Sequence, residues 1–185
     1  MRSDREHWDA AYARGRSGEA SPPAAFLAEH ASLLRVGRTL DLACGRGRNA
    51  RFLAERGHTV VAVDVSREAI ADPALRSPAI APVQMDLDAA AFRAGSLDGI
   101  VCVSFLDRRL FASLPVWIRP GGTLLLDTFL VDQAAIGHPR NPAYLLSRNE
   151  LLERVAPAFR VLRYREGIVE ENGVRSARAG IVAER

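Results

Sequence analysis

Leu40-Asp41-Leu42-Ala43-Cys44-Gly45-Arg46-Gly47-Arg48-Asn49-Ala50 begins as an apolar run, breaks in a glycine-rich turn and continues with helical composition. A second apolar run, Val60-Val61-Ala62-Val63, follows and stops at a single acid, Asp64. Strand, glycine turn, helix, strand and acid predict a parallel βαβ unit, the arrangement that holds a nucleoside cofactor over its first turn.

The flanking sequence extends this unit in both directions. Glu6 to Arg14 has helical composition, with Trp8 and Tyr12 spaced i, i+4 on one face, and Gly15, Ser17 and Gly18 stop it. Residues 1–20 therefore read as an arm, either packed on the domain by its two aromatics or lying as a flap over a cofactor, and residues 21–185 as one domain. Ser21-Pro22-Pro23 opens a helix with Phe26, Leu27, Leu33 and Leu34 on its apolar face. Downstream, Ser66 caps a helix kept short by Pro73 and Pro78, and the strand from Ile80 to Asp86 carries Pro82, which places it at a sheet edge. Gly99 to Phe105 and Thr123 to Thr128 read as strands covered on both faces, separated by a helix disturbed at Pro115 and by the turn Arg119-Pro120-Gly121-Gly122. Ser147-Arg148-Asn149-Glu150 is a capping box, and Asn172-Gly173 between two apolar stretches predicts an antiparallel hairpin to finish the sheet. Repeated strand and helix alternation makes the fold class α/β, a single doubly wound sheet.

Composition narrows the function. The 185 residues suffice for one domain with a good core, and 48% hydrophobic with 25% charged residues is ordinary globular content. No apolar run approaches the roughly 20 residues of a spanning helix, and the first residues lack a signal-like apolar core, so a cytoplasmic protein with no membrane partner is expected. The 25 basic residues are all arginine, and the net charge of +3 is spread without a dense basic run, so no nucleic-acid partner is expected. Cys44 and Cys102 give neither a disulfide framework nor a metal spacing. Cys44 has no identifiable basic partner and suits a tight turn by its size; Cys102 falls in a buried strand.

Gly45-x-Gly47-x-x-Ala50 also fits the loose dinucleotide fingerprint, which would indicate an NAD(P)-dependent oxidoreductase. Asp41 discriminates. A carboxylate just before the turn opposes a pyrophosphate, which needs the positive helix N-terminus and its free N–H groups. A ligand with a cationic amine is attracted instead. S-adenosylmethionine has an ammonium for Asp41, a carboxylate for the helix N-terminus, ribose hydroxyls for Asp64 and an adenine amine for Asp86. The three acids close successive strands at one sheet edge, where open α/β sheets bind ligands.

Leu40 to Asn49, together with Gly57-His58-Thr59-Val60-Val61-Ala62-Val63-Asp64-Val65-Ser66, resembles motifs I and II of the class I S-adenosylmethionine-dependent methyltransferases. The Gly-Arg-Asn variant after the turn resembles their tellurite-resistance and thiol methyltransferase group, and the Trp8, Asp9 and Tyr12 arm, Asp86, the Arg119–Gly122 turn and the late hairpin extend the likeness over nearly the whole chain. The resemblance implies a seven-stranded sheet of order 3-2-1-4-5-7-6 with strand seven antiparallel. It implies cofactor contacts from Trp8, Tyr12, Asp41, Ala43, Cys44, Gly45, Gly47, Arg48, Asn49, Asp64, Val65, Ser66, Asp86, Leu87 and Ser104. Trp8 and Tyr12 would then cover the methionine end of the cofactor. Arg48 and Asn49 would reach the cofactor carboxylate or brace Asp41, or Arg48 would stand on an exposed helix face. S-adenosylhomocysteine would be the product, and no metal would be required.

The acceptor should be a small molecule held by the loops after strands four and five, with Phe105, Asp107, Arg108, His138, Arg140 and Asn141 as candidate contacts. A thiol or a chalcogen oxyanion needs little base, whereas an oxygen or nitrogen acceptor that loses a proton calls for one, with Asp107 or His138 as the candidates. Asp127 ends strand five at the same edge, facing the ligand or capping the next segment. A fold kept for cofactor binding without catalysis is the non-enzymatic alternative, and on any of these readings the protein is expected as a monomer or a homodimer.

Overall fold

The structure, a computed structural model, describes residues 2–14, 21–171 and 173–185. Seven strands form one sheet in the order β3-β2-β1-β4-β5-β7-β6. They are β1 (Arg38–Leu42), β2 (Thr59–Asp64), β3 (Ile80–Gln84), β4 (Leu97–Val103), β5 (Ile118–Phe129), β6 (Arg160–Glu171) and β7 (Val174–Glu184). The first five run parallel, and β7 pairs antiparallel with both β5 and β6. Pro82 pairs opposite Ala62 on edge strand β3, where its missing N–H leaves no central ladder broken.

Among the described residues seven α-helices accompany the sheet: α1 (Arg2–Arg14), α2 (Ala25–His30), α3 (Arg48–Ala54), α4 (Arg67–Ile70), α5 (Leu114–Trp117), α6 (Gln133–Ile136) and α7 (Glu150–Val155). Strand alternation splits the core into two layers. On one face Leu40, Leu42, Ile100, Cys102, Leu124 and Leu126 pack beneath α5 and α7. On the other, Val60, Ala62, Val101, Val103 and Leu125 pack beneath Phe26 and Leu27 of α2 and Phe52 and Leu53 of α3. β4 is buried along its whole length: the apolar run Ile100–Val103 fits a strand covered on both faces, and buried Asp98 accepts from the Arg38 N–H at 2.8 Å.

Three local readings are corrected. Ser21 does not cap α2, whose N-cap is Ala24, because Pro22 and Pro23 precede the helix instead of entering it. Arg119-Pro120-Gly121-Gly122 lies inside β5, as an irregularity where the register with β4 shifts between Leu97 and Gly99; Gly121 takes φ +72° there, and its N–H donates to the Arg185 carbonyl at 2.7 Å. The segment around Pro115 is a 3-10 stretch, Arg108–Ala112, followed by the single turn of α5 with Pro115 in its first turn. Gly15, Ser17 and Gly18, expected to end α1, lie outside the described residues. The hairpin turn is described at Gly173, in the left-handed region with φ +75°. No helix among the described residues is long and apolar enough to cross a membrane.

Candidate functional site

The glycine turn and the acids occupy the edge formed by the C-terminal ends of the parallel strands. Asp41 sits one residue before the end of β1 and is 1% exposed. Neither of its carboxylate oxygens has a hydrogen-bond partner among the described residues. Burial drives its pKa up to about 7 with help from the Asp64 charge, while the Ala50 amide, turned toward it but short of hydrogen-bond geometry, and the Arg48 charge pull it back. A buried carboxylate without a donor is costly, so such a group calls for a cationic or multiply donating ligand.

The turn itself is rigid. The Cys44 N–H donates to the Val63 carbonyl at 3.0 Å, and the Gly47 N–H to the Cys44 carbonyl at 3.0 Å. Gly45 and Gly47 take φ of +55° and +77°, and Gly47 caps α3. A Cβ on Gly47 would lie 2.1 Å from Leu75 Cδ2, so close approach as well as conformation selects glycine. Ala43, at φ +53°, is a non-glycine residue held in the same left-handed region, a strain that concentrates at functional sites. Burial raises the Cys44 and Cys102 thiols well above their usual range, the opposite of nucleophile activation.

Asp64 ends β2 and braces the turn: Oδ2 accepts from the Gly45 N–H at 2.8 Å, and Oδ1 from the Ser66 N–H at 2.9 Å. Burial raises its pKa against those two amide bonds. Helix α1 lies against the same edge. Asp9 Oδ1 accepts from the Ser66 hydroxyl at 2.7 Å, a bond that holds the Asp9 carboxyl below its usual range. The Tyr12 hydroxyl packs on the turn, since a Cβ on Gly45 would come within 2.6 Å of it, and burial pushes its pKa up to about 12. Arg46 clamps the contact by pairing with Asp72 at 2.7 Å, donating to the Tyr12 carbonyl and lying 5.5 Å from the Tyr12 ring centroid. Trp8 remains 47% exposed, with its ring 6.1 Å from that of Tyr12.

Asp86 follows β3 and caps the 3-10 turn Leu87–Ala89, accepting from the Asp88 N–H at 3.0 Å. Half-buried Leu87 packs against the core, and the Val65 carbonyl accepts from Gln84 at 3.1 Å. Arg48 stands exposed at the start of α3. Asn49 is turned to the α2 side, where its Oδ1 accepts from the Ala24 N–H at 3.0 Å.

On the acceptor side, Ser104 leaves β4 exposed with φ +59°. Phe105 and Asp107 line a cleft of about 350 Å³, open mouth included, with Leu42, Cys102, Leu126 and Thr128, whose buried hydroxyl has no partner among the described residues. Burial opposes ionisation of Asp107, but its bonds to Arg109 win and lower its pKa. Arg108 turns to the α7 side, pairing with Glu150 at 2.7 and 2.9 Å and donating to the carbonyls of Ala143 and Leu145. His138 is exposed and offers its carbonyl to Gln133 at 2.8 Å, Arg140 reaches only the Gly137 carbonyl at 3.4 Å, and Asn141 caps a 3-10 turn through the Ala143 N–H. No hydrogen bond among the described residues joins these three to the glycine turn or to β4.

Sequence reading singled out Asp127 at this edge but passed over the arginines that hold it. Arg178 of β7 and Asp127 of β5 are 6% and 1% exposed and pair at 2.8 Å, and Arg165 of β6 reaches the same carboxylate at 3.2 Å. The available signal was an arginine set among small residues, Ser176-Ala177-Arg178-Ala179-Gly180, in a strand otherwise suited to burial.

Seven strands in this order, with a glycine turn after β1 and an acid ending β2, define a class I methyltransferase fold. Residues 39–122, a little under half of the chain, match the methyltransferase domain family. A ubiquinone biosynthesis O-methyltransferase of Xanthomonas axonopodis is 34% identical, over 53% of this chain and 45% of the relative. A ribosomal RNA small subunit methyltransferase C of Alcanivorax borkumensis is 27% identical, over 62% and 39%. The chain thus spans less than half the length of these curated relatives. TehB of Haemophilus influenzae shares the fold with a TM-score of 0.71, at 22% identity over 86% of this chain and 61% of that one. A 1,6-didemethyltoxoflavin N1-methyltransferase of Burkholderia thailandensis, solved with S-adenosylhomocysteine, gives 0.72 at 19% identity over 98% and 86%.

Proposed function

We propose that this protein transfers a methyl group from S-adenosylmethionine to a small-molecule acceptor. The observation that carries the reading is Asp41, a buried carboxylate without a donor at the foot of a glycine turn. Its charge suits an ammonium and repels a pyrophosphate, which weighs against a nicotinamide cofactor occupying this turn.

When bound, S-adenosylmethionine supplies an electrophilic methyl on a sulfonium and leaves as S-adenosylhomocysteine. The chain's part is binding and alignment. Asp41 would hold the ammonium, directly or through water, and the N-terminal amides of α3 would receive the carboxylate. Asp64 accepts from the ribose hydroxyls while keeping the turn fixed through the Gly45 amide. Asp86, Leu87 and Val65 border the adenine. Helix α1 would cover the site through Trp8 and Tyr12, and Asp9 anchors it on Ser66. Ser104 and Phe105 leave β4 toward the acceptor. Holding the reacting atoms about 3 to 3.5 Å apart in line can supply roughly 7 to 11 kcal/mol in well-oriented systems.

A small acceptor is favoured by the confined cleft beside Phe105 and Asp107 and by basic residues distributed around the chain. Asp107 is held ionised by Arg109, which suits a base better than an acid.

Calorimetric titration with S-adenosylhomocysteine tests the proposal. One saturable site is expected; no binding at high micromolar concentration refutes it, and tight NADH binding in its place selects the oxidoreductase. Binding without methyl transfer across thiols, oxyanions, carboxylates and amines selects a non-catalytic module.

A further inference from the structure

We propose that Arg178 is a specificity residue that seats an anionic oxygen group of the methyl acceptor, a carboxylate or a chalcogen oxyanion, at the mouth between β4 and β5. The inference rests on the methyltransferase reading above. Arg178 is held with unusual completeness for a strand residue. Its Nε donates to Asp127 Oδ2 at 2.8 Å, and its Nη2 donates to Ser104 Oγ at 2.9 Å and to the Asp127 carbonyl at 3.2 Å. Its guanidinium also stacks 4.3 Å from the Phe129 ring centroid. Three bonds and a stacking face fix the orientation of the fork.

One edge of that fork is left over. Nη1 has no partner among the described residues, and it is not among the buried polar atoms sealed from solvent without a bond. A guanidinium whose only task is to balance Asp127 has no need of an open edge beside an exposed serine. The two N–H bonds of a charged, preoriented Nη1 can donate to an anionic oxygen, and fixing the guanidinium beforehand removes the ordering cost of binding.

Placement supports the same role. Ser104 is the first residue beyond β4, its N–H donating to the Asp127 carbonyl at 2.8 Å, so the Arg178 fork lies at the C-terminal edge of β4 and β5. The cofactor-facing acids Asp41 and Asp64 belong to β1 and β2 on the other side of β4 in the sheet order. Asp127 is also shared with Arg165, at 3.2 Å, which Glu171 completes at 2.6 Å. Arg178 therefore has only part of one carboxylate, and an anion at its free edge meets unspent positive charge.

The test is side-chain 15N NMR of the full chain, with the Arg178 Nε–Hε signal assigned by its loss in Arg178→Lys. Benzoate, selenite and neutral benzamide are titrated with and without S-adenosylhomocysteine. A saturable shift of the Arg178 signal is expected with benzoate or selenite, whichever chemistry fits, and none with benzamide. The paired variant Arg178→Met with Asp127→Asn, which leaves no bare buried carboxylate, should lose at least tenfold in anion affinity while S-adenosylhomocysteine affinity stays within about twofold. No anion-dependent shift up to tens of millimolar, or unchanged anion affinity in that paired variant, overturns the proposal. Should the pair not fold, retention of anion binding with an intact affinity in Arg178→Lys, whose ammonium lacks the fork, overturns it equally. Failure of S-adenosylhomocysteine alone to bind would sink the methyltransferase reading, and the arm without it still reads Arg178.

Discussion

Replacing Asp41 with Asn should make the ligand-free protein more stable at pH 8 than the wild type, and worse at binding its cofactor. Burial raises the Asp41 pKa from 3.8 to about 7, so the native state holds a proton that the unfolded state has released between those values. Where the native state binds more protons, stability falls as pH rises. The loss begins near pH 4 and is complete just above pH 7. Between pH 5 and the folded pKa, about two pKa units at 1.36 kcal/mol each give a loss of about 3 kcal/mol. Asn removes the ionisation, so the variant keeps that energy. Urea unfolding at pH 5 and pH 8 should therefore show the variant gaining about 3 kcal/mol on the wild type across the interval. Calorimetry at pH 8 should show S-adenosylhomocysteine affinity reduced by about 1.5 to 3 kcal/mol, the worth of a hydrogen bond to a charged group. An equal stability difference at both pH values would refute the burial argument. Unchanged affinity would refute the ammonium contact.

Glu150 gives the opposite slope. Its bond to Arg108 lowers its pKa from 4.5 to about 2, so the pair stabilises the fold above pH 4.5 and is lost as pH falls toward 2. Glu150→Gln should cost about 1 to 3 kcal/mol at pH 7 and little at pH 2, by urea unfolding. Asp64→Ala should weaken S-adenosylhomocysteine binding by about 1.5 to 3 kcal/mol and also lower stability, because the Gly45 and Ser66 amides lose their acceptor; a change in neither would break the placement of β2. Gly47→Ala, which meets Leu75 at a left-handed φ, should destabilise by about 1 to 3 kcal/mol in the same assay. Burial lowers the His58 pKa, so NMR should find it titrating below 6.5, with stability lost as it charges at falling pH.

The sheet was legible because its signals are periodic and local. Unbroken apolar runs gave β1, β2, β4 and β5, Pro82 marked the edge, and Asn172-Gly173 marked the hairpin. The same locality explains the misplacements. Arg119-Pro120-Gly121-Gly122 has turn chemistry, yet strands on both sides of it, Leu97 and Ile118 among them, draw it into an irregular β5. For the candidate site, Asp41 and Asp64 could be found from their strand ends, but Asp64 bracing the Gly45 amide could not, because it depends on how two strands register. Arg108 shows the limit most plainly. Its place in the chain, just beyond β4, suggested a reach toward the mouth, and its partners Glu150, Ala143 and Leu145 lie 35 to 42 residues away. Arg178 was hidden for the same reason, since its meaning comes from Asp127 and Ser104 on other strands.

The position of β7 governs how the molecule can be made. It is last in chain order but lies between β5 and β6, so β5 pairs on only one side until residues 174–184 have left the ribosome. Until then Leu124, Leu125 and Leu126 form an open, apolar ladder of the kind other nascent chains can join. Sheet closure thus waits for the hairpin, and brief shielding of that edge, by a chaperone or by slowed elongation before residues 174–184, should raise the yield of folded protein.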